Sequence, residues 1–383
     1  MEIHRSKKKK VLFIANTGRF YHFEVNNVKL LLDLGVEVHF AANLKAEPID
    51  NISSQNVHLH HIECTRSPLT KQNYIAFHQL SRLMEQEDFD VIHCHTPVGG
   101  MLGRLLAHKY RHLGVKVIYS AHGFHFYRGA PKKLWGAIYP VEWGLSWITD
   151  TLITINKEDY KRAKSHFHAQ KLYYVPGIGI DMEKFTPNSI DVTKKRAEFG
   201  IQPDDILLMA VGELNPNKNH QILIKALSMI DNPKIKLFIL GIGGLKEQLL
   251  EMIQKYNLQG RVKVLGYRKD INEFYQCSDI YVFPSIREGL SVALMESMAC
   301  ACPVICSDIR GNNDLIDRGR GGYRVLPLDV QQWVNAINQM IQEREKWKEM
   351  GSYNREKIRT AFNRELVVKK MKAIYSECLE EHD

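Results

Sequence analysis

Short apolar runs recur along the chain, and most are followed by a stretch whose apolar positions return every three or four residues. Val11-Leu-Phe-Ile-Ala is the first, closed by Asn16-Thr-Gly-Arg-Phe, and an amphipathic stretch then continues to about Leu34, where Gly35 stops it. Further runs begin at Val36, His58, Asp90 and Val115, with a helical pattern around 76–86 between the second and third of these. Runs rich in branched side chains read as buried strands, and the intervening helical period reads as helices packed over them. Strand and helix in alternation predict a parallel sheet covered on both faces, with ligands at the carboxyl ends of its strands.

The pattern restarts at Ile206-Leu-Leu-Met-Ala-Val and continues through runs at Lys236, Val262, Asp279 and Pro303 before a set of terminal helices. Between the halves lie the run at Lys171, a helical segment near 192–199 and a turn at 200–205. A chain of 383 residues exceeds one typical core, so two domains are expected, with the crossing near residue 180. With 44% hydrophobic and 25% charged residues the composition is that of a soluble globular protein. No run approaches the ~18 apolar residues of a membrane span, and the start lacks an apolar signal core, so a cytoplasmic protein is expected.

Charge is spread unevenly. Of the net +9, residues 1–180 supply most, with 23 Lys+Arg against 15 Asp+Glu, while the remainder carries 29 against 28. A basic first half suits an anionic partner such as a membrane surface or a lipid-linked phosphate, or serves solubility alone. Nucleic acid is disfavoured, because no basic helix or aromatic-interleaved sheet motif is present. Residues 134–148 carry Trp135, Trp143 and Trp147, with Lys132 and Lys133 just before. Such a segment either rests at a membrane interface or packs as a helix in the first domain. The seven cysteines have no disulfide-like spacing; Cys300, Cys302 and Cys306 have no nearby His and read as small reduced core residues rather than zinc ligands.

The densest chemistry lies at 283–299. There Asp279-Ile-Tyr-Val-Phe reads as a buried strand, Pro284 ends the ladder, Gly289 permits a turn and Ser291 caps a helix striped by Val292, Leu294, Met295, Met298 and Ala299. Glu288 then falls in the loop and Glu296 about one turn inside the helix. The amides of Gly289, Leu290 and Ser291 are left to bind an anion such as a diphosphate, while carboxylates beside it accept hydrogen bonds from hydroxyls.

The string Arg-Glu-Gly-Leu-x-Val-Ala-Leu-Met-Glu-x-Met-Ala after a strand resembles the Glu-x7-Glu signature of retaining glycosyltransferases of family 4, whose fold is GT-B. The resemblance implies two doubly wound Rossmann-like domains facing a cleft. It gives Glu288 to the donor sugar, the loop amides to its phosphate and Glu296 to the ribose hydroxyls. Ser291 stands where relatives often carry Pro, and both suit a helix start. Gly212-Glu-Leu-Asn-Pro-Asn-Lys occupies the place of the family's Gly-Arg-x4-Lys, whose two cations clamp the diphosphate. Lys218 fits this clamp, whereas Glu213 replaces the Arg, so Lys218, the helix amides or Arg287 would carry more of the load. Tyr267 and Arg268 follow the strand whose loop holds the base through backbone groups. The Gly-x-Gly-Gly after Leu240 is expected to border the phosphate pocket.

In the first half, His122-Gly-Phe-His-Phe-Tyr after a strand resembles the family's N-domain histidine, implying that His122 hydrogen-bonds the sugar or the developing charge. Together with Tyr139-Pro-Val-Glu and the stretch from Thr149 it is similar to the exopolysaccharide and capsule branch. The first loop implies Gly18 on the donor phosphates, with Asn16, Arg19 and His125 on the acceptor side; it lacks the Gly-x-Gly-x-x-Gly fingerprint of dinucleotide enzymes. Asp88-Phe-Asp90 matches the metal motif of the other large glycosyltransferase fold, but precedes a strand and reads as a polar strand entry.

The resemblance thus implies residues 1–180 plus a returning 362–383 as an acceptor-side domain and 181–361 as the donor domain. The expected reaction moves a sugar from a nucleotide-sugar, UDP-linked by preference, to a hydroxyl of a lipid-linked saccharide with retention, at the inner membrane face and without a metal or other cofactor. Two rivals are an isomerase of the UDP-N-acetylglucosamine 2-epimerase type, against which the Glu-x7-Glu stretch argues, and an inactive nucleotide-sugar-binding subunit, which Glu213 keeps open.

Overall fold

The computed structural model describes residues 8–47, 49 and 56–380. The outermost residues of the expected first domain, 1–7 and 381–383, lie outside the described residues. By its internal contacts the chain divides into two units, residues 1–178 with 365–383, and residues 179–364.

The first unit is built on seven strands, β1 (Lys10–Ile14), β2 (Glu37–Ala42), β3 (Val57–His61), β4 (Val91–His95), β5 (Lys116–Ala121), β6 (Thr151–Thr154) and β7 (Lys171–Tyr174). They run parallel in the order β3-β2-β1-β4-β5-β6-β7. The connecting helices are α1 (Tyr21–Asp33), α2 (Lys71–Gln86), α3 (Pro97–His108), α4 (Lys132–Ser146) and α5 (Lys157–His166). Leu12 and Ile14 point into one apolar layer and Val11 and Phe13 into the other, as the pleat of a doubly covered strand requires. Asp90 accepts from the Lys10 amide at 2.8 Å and pairs with Lys9, so Asp88-Phe-Asp90 is a strand entry tied to β1.

The second unit opens with α6 (Val192–Glu198) and holds six parallel strands. These are β8 (Ile206–Val211), β9 (Ile235–Leu240), β10 (Val262–Gly266), β11 (Ile280–Phe283), β12 (Val304–Ser307) and β13 (Gly322–Val325). Their order is β10-β9-β8-β11-β12-β13. Helices α7 (Gln221–Ser228), α8 (Lys246–Lys255), α9 (Ile271–Cys277), α10 (Val292–Ala299), α11 (Asn312–Leu315), α12 (Val330–Gln342) and α13 (Trp347–Ala361) cover it, and α14 (Arg364–Leu379) packs on the first sheet. There Val367, Met371, Ile374 and Tyr375 join the layer of Val11 and Phe13, and the Tyr375 hydroxyl lies 2.7 Å from His93 Nδ1.

Both sheets reverse their winding once, between β1 and β4 and between β8 and β11. At such a point the flanking loops diverge to opposite faces and leave room for a ligand beyond the strand ends. The loops concerned are 15–20 and 96 in the first unit, and 212–220 and 284–291 in the second.

The seven cysteines are all free and buried. Cys302 Sγ sits 3.2 Å from the Tyr275 carbonyl, in keeping with its reading as a core residue. The segment of the three tryptophans forms α4 and its C-terminal cap; Trp135 is half-buried and packs with Ile138 and Tyr139 on the core of the first unit, as a packed helix would, whereas Trp143 and the cap Trp147 are 42% and 57% exposed.

Candidate active site

In the second unit the loop after β8 is held down at several points. Asn215 Oδ1 accepts from the Lys218 amide at 3.0 Å, and Asn219, at a φ of 53°, donates to the carbonyls of Pro284 and Pro327. Lys218 lies with its stem over Gly212, where a Cβ would stand 3.1 Å from the Lys218 Cδ. Its Nζ reaches Glu288 Oε1 at 2.7 Å and lies 5.1 Å from the Phe283 ring centre. Both side chains are largely withdrawn from water, 21% exposed for Lys218 and 14% for Glu288.

The loop after β11 is fixed as firmly. The Ile286 amide donates to Asn217 O at 2.8 Å, Asn217 Nδ2 donates to Arg287 O at 2.9 Å, and Arg310 Nε donates to Glu288 O at 3.1 Å. Gly311, at a φ of 81°, approaches so closely that a Cβ there would stand 2.4 Å from Gly289 O. Ser291 caps α10 by accepting from the Leu294 amide at 3.2 Å, as the sequence predicts. No protein acceptor takes the amides of Gly289, Leu290 or Ser291 among the described residues. Three donors, a helix start and the Lys218 ammonium therefore meet where the sheet reverses, an arrangement suited to a diphosphate.

Glu296 lies in the second turn of α10 and accepts from the Tyr275 hydroxyl at 3.0 Å. Burial pushes its carboxyl up to about 7, and the Tyr275 bond opposes that only in part. Tyr267 and Arg268 follow β10, two strands from β8; Tyr267 is 67% exposed and Arg268 is paired with Asp270 at 2.6 Å. Arg287 is half-buried beside Glu288, whereas Glu213 points to solvent. Gly241 has a packing reason of its own, since a Cβ would stand 1.9 Å from Gly212 O, so this glycine turn lets two site loops touch.

In the first unit the structure gathers His122 with two residues that sequence reasoning passed over. His95 Nδ1 lies 3.3 Å from His122 Nε2 and 3.4 Å from Glu24 Oε1, and the latter is 3.9 Å from His122 Nε2. Phe20 meets the His122 ring edge-on at 4.8 Å. Burial pulls His122 down to about 4, holds His95 well below the ordinary imidazole range and pushes Glu24 up to about 8. In each case burial disfavours the charged form. His122 and His125 line a pocket of about 140 Å³ with Thr96, Tyr119, Ile138 and Glu142.

Asn16 is buried at the end of β1 and Arg19 is exposed. Gly18, expected on the donor phosphates, donates its amide to Asn43 O at 3.2 Å, and Glu47 O would stand 2.3 Å from a Cβ at that position. Arg310, only 7% exposed and bonded to the Glu288 carbonyl, is a further cation that sequence reasoning missed. Its one signal is position, in a loop after a strand. For His95 the signal was the alternation His93-Cys-His95 at a strand end.

Comparison with known proteins yields matches over both units. Residues 191–357 match the family model described as glycosyl transferases group 1, and residues 10–156 match that described as glycosyl transferase 4-like. "Putative glycosyltransferase EpsD" of Bacillus subtilis (strain 168) is 37% identical over 380 residues, 96% of either chain. The UDP-Gal:alpha-D-GlcNAc-diphosphoundecaprenol alpha-1,3-galactosyltransferase of Escherichia coli is 30% identical over 309 residues, 77% of each. Among solved structures, HepE of Anabaena in complex with UDP superposes with a TM-score of 0.80 at 18% identity, covering 96% of this chain and 100% of that one.

Proposed function

The chain belongs to the group 1 glycosyl transferases, with the two parallel, doubly wound sheets of the GT-B type, and from that premise we propose a donor, an acceptor and a course for its transfer. It moves a sugar from a UDP-sugar to a hydroxyl of a lipid-linked saccharide, with retention at the anomeric carbon, in the synthesis of a cell-surface polysaccharide. The observation that carries this reading is the Lys218–Glu288 pair beside the unpartnered amides that open α10.

A bound diphosphate takes the amides of Gly289, Leu290 and Ser291 and draws the Lys218 ammonium to its oxygens. Glu288, released from Lys218, accepts from hydroxyls of the sugar. Glu296 accepts from the ribose through the oxygen that Tyr275 does not hold, and backbone groups at Tyr267 and Arg268 border the base. As the bond from the anomeric carbon to phosphate breaks, the acceptor oxygen bonds that carbon on the same face and its proton passes to the leaving diphosphate. Lys218 and the amides hold the charge that develops there, with no metal required. In the first unit, His122, Asn16, Arg19 and His125 are the groups that offer hydrogen bonds to sugar hydroxyls.

The E. coli relative, whose name includes a diphosphoundecaprenol acceptor, supports a lipid-linked substrate. No helix among the described residues is long and apolar enough to cross a membrane. Trp143, exposed near the end of α4, and Trp147, exposed at its C-terminal cap, with Lys132 and Lys133 at the start of that helix, support docking on an anionic bilayer surface instead.

The test is a turnover screen of UDP- and GDP-sugars against a lipid-diphosphate sugar, with the product's anomeric configuration read by NMR. A UDP-sugar giving a retained product is expected, and an inverted product would refute attack on the same face. Glu213 in place of the clamp Arg favours one other reading, a nucleotide-sugar-binding subunit without activity. UDP binding with no sugar consumed on any membrane acceptor would support that reading.

A further inference from the structure

A second histidine cluster stands at the edge of the first sheet, outside the residues of the transfer site. His39 on β2 and His58 on β3 are register partners, and Glu37 and His60, each two residues along its own strand, share their face. Glu37 Oε1 lies 2.9 Å from His39 Nε2 and 4.0 Å from His58 Nε2. The His39 and His58 rings stack with centres 4.5 Å apart, and Phe89 meets the His39 ring edge-on at 5.0 Å. His39 is buried, while the His58 side chain is 58% exposed.

One ligand atom from each of Glu37, His39 and His58 falls within 4.8 Å of the others. A tetrahedral ion with bonds of about 2.0–2.1 Å separates its ligands by roughly 3.3 Å, so small side-chain rotations close the triangle. The surrounding groups fit such an ion. His39 Nδ1 lies 2.9 Å from His60 Nε2, so that a His39 bound through Nε2 donates its remaining N–H to His60, the outer bond that fixes most metal-ligating imidazoles. Lys10 is shared between Glu37 and Glu87, two carboxylates for one ammonium, so it keeps Glu87 when a cation takes Glu37.

We propose that Glu37, His39 and His58 bind a divalent transition ion of the Zn²⁺, Co²⁺ or Ni²⁺ class, with His60 orienting His39. Two imidazoles and one carboxylate suit these ions, whereas Mg²⁺ and Ca²⁺ want oxygen cages. The remaining coordination positions open to solvent beside His58. A bound ion joins β3, the exposed edge strand, to β2 across their side chains and stabilises that edge. No step of glycosyl transfer passes through it, so the proposal stands or falls separately from the proposed function.

The test titrates tag-free, full-length protein with Co²⁺ and follows its visible absorption and the thermal unfolding midpoint. One Co²⁺ per chain, displaced by Zn²⁺ but not by Mg²⁺, with a raised midpoint, is expected. His58→Ala, at an exposed position, should abolish binding while the metal-free midpoint and far-UV spectrum stay unchanged. His60→Ala should weaken it about 10- to 100-fold. Absence of stoichiometric Co²⁺ binding overturns the proposal. So does binding that survives His58→Ala and is lost in His95→Gln, since that would assign the ion to Glu24, His95 and His122.

Discussion

Lys218 and Glu288 are seventy residues apart in sequence and neutralise each other across 2.7 Å, so neither charge is stranded before a ligand arrives. A diphosphate that claims the ammonium also frees the carboxylate, and one contact thereby prepares both halves of the donor. Lys218→Ala is expected to lower turnover about 10²- to 10³-fold with a smaller loss in UDP affinity. A variant with the wild-type rate would remove Lys218 from the reaction. Glu296 adds a pH dependence. Its ionised form accepts from ribose hydroxyls, and with a carboxyl raised to about 7, UDP affinity should fall as pH drops from 8 to 6. Glu296→Gln should weaken UDP at pH 8 and flatten that profile in calorimetry; unchanged affinity refutes the ribose contact. The folded state holds this proton more tightly than the unfolded chain, so the group's effect on stability is unfavourable and grows as pH rises from its ordinary 4.5 through about 7. Glu296→Gln removes that effect, and lost affinity would not reflect unfolding.

Helix α10 was legible because its signals are local: the strand before it, the Ser291 cap and the apolar stripe lie within one short stretch. What the stretch does not contain is the reason its loop holds still. Gly311 and Arg310 come from beyond β12, and they clamp Gly289 and Glu288 through a close backbone approach and one hydrogen bond. Gly311→Ala should therefore impair UDP binding at least tenfold, through both its left-handed backbone and the 2.4 Å encounter with Gly289 O. Gly319→Ala is the control, at a φ of 73° with nothing within 4 Å, and calorimetry on both separates loop position from general backbone strain. Similar UDP affinity in the two variants would sink the clamp. Helix α4 taught the opposite lesson: its spacing of tryptophans was readable, but which of them face water depended on the neighbours that cover Trp135.

At the scale of the molecule, each sheet is wound once in either direction from a central pair of strands, and the last helix rejoins the first sheet. The His93–Tyr375 bond lies in that junction, fully buried and 282 residues apart in sequence. Tyr375→Phe strands a buried imidazole nitrogen and should lower stability by about 1–3 kcal/mol in urea unfolding. An unchanged midpoint would show that the bond contributes nothing to the docking of α14. The strand-and-helix alternation, the cap at Ser291 and the family signature around Glu288 and Glu296 were set by the chain's own order, because propensity, periodicity and capping act over a few residues. The pairing of Lys218 with Glu288, the closing of Gly18 beneath the segment after β2, and the gathering of His122 with Glu24 and His95 were decided only by tertiary structure. Each of these contacts joins strand ends, loops or helices belonging to different strands, and the sheet order that makes them neighbours is fixed by packing of whole layers rather than by any local run of residues.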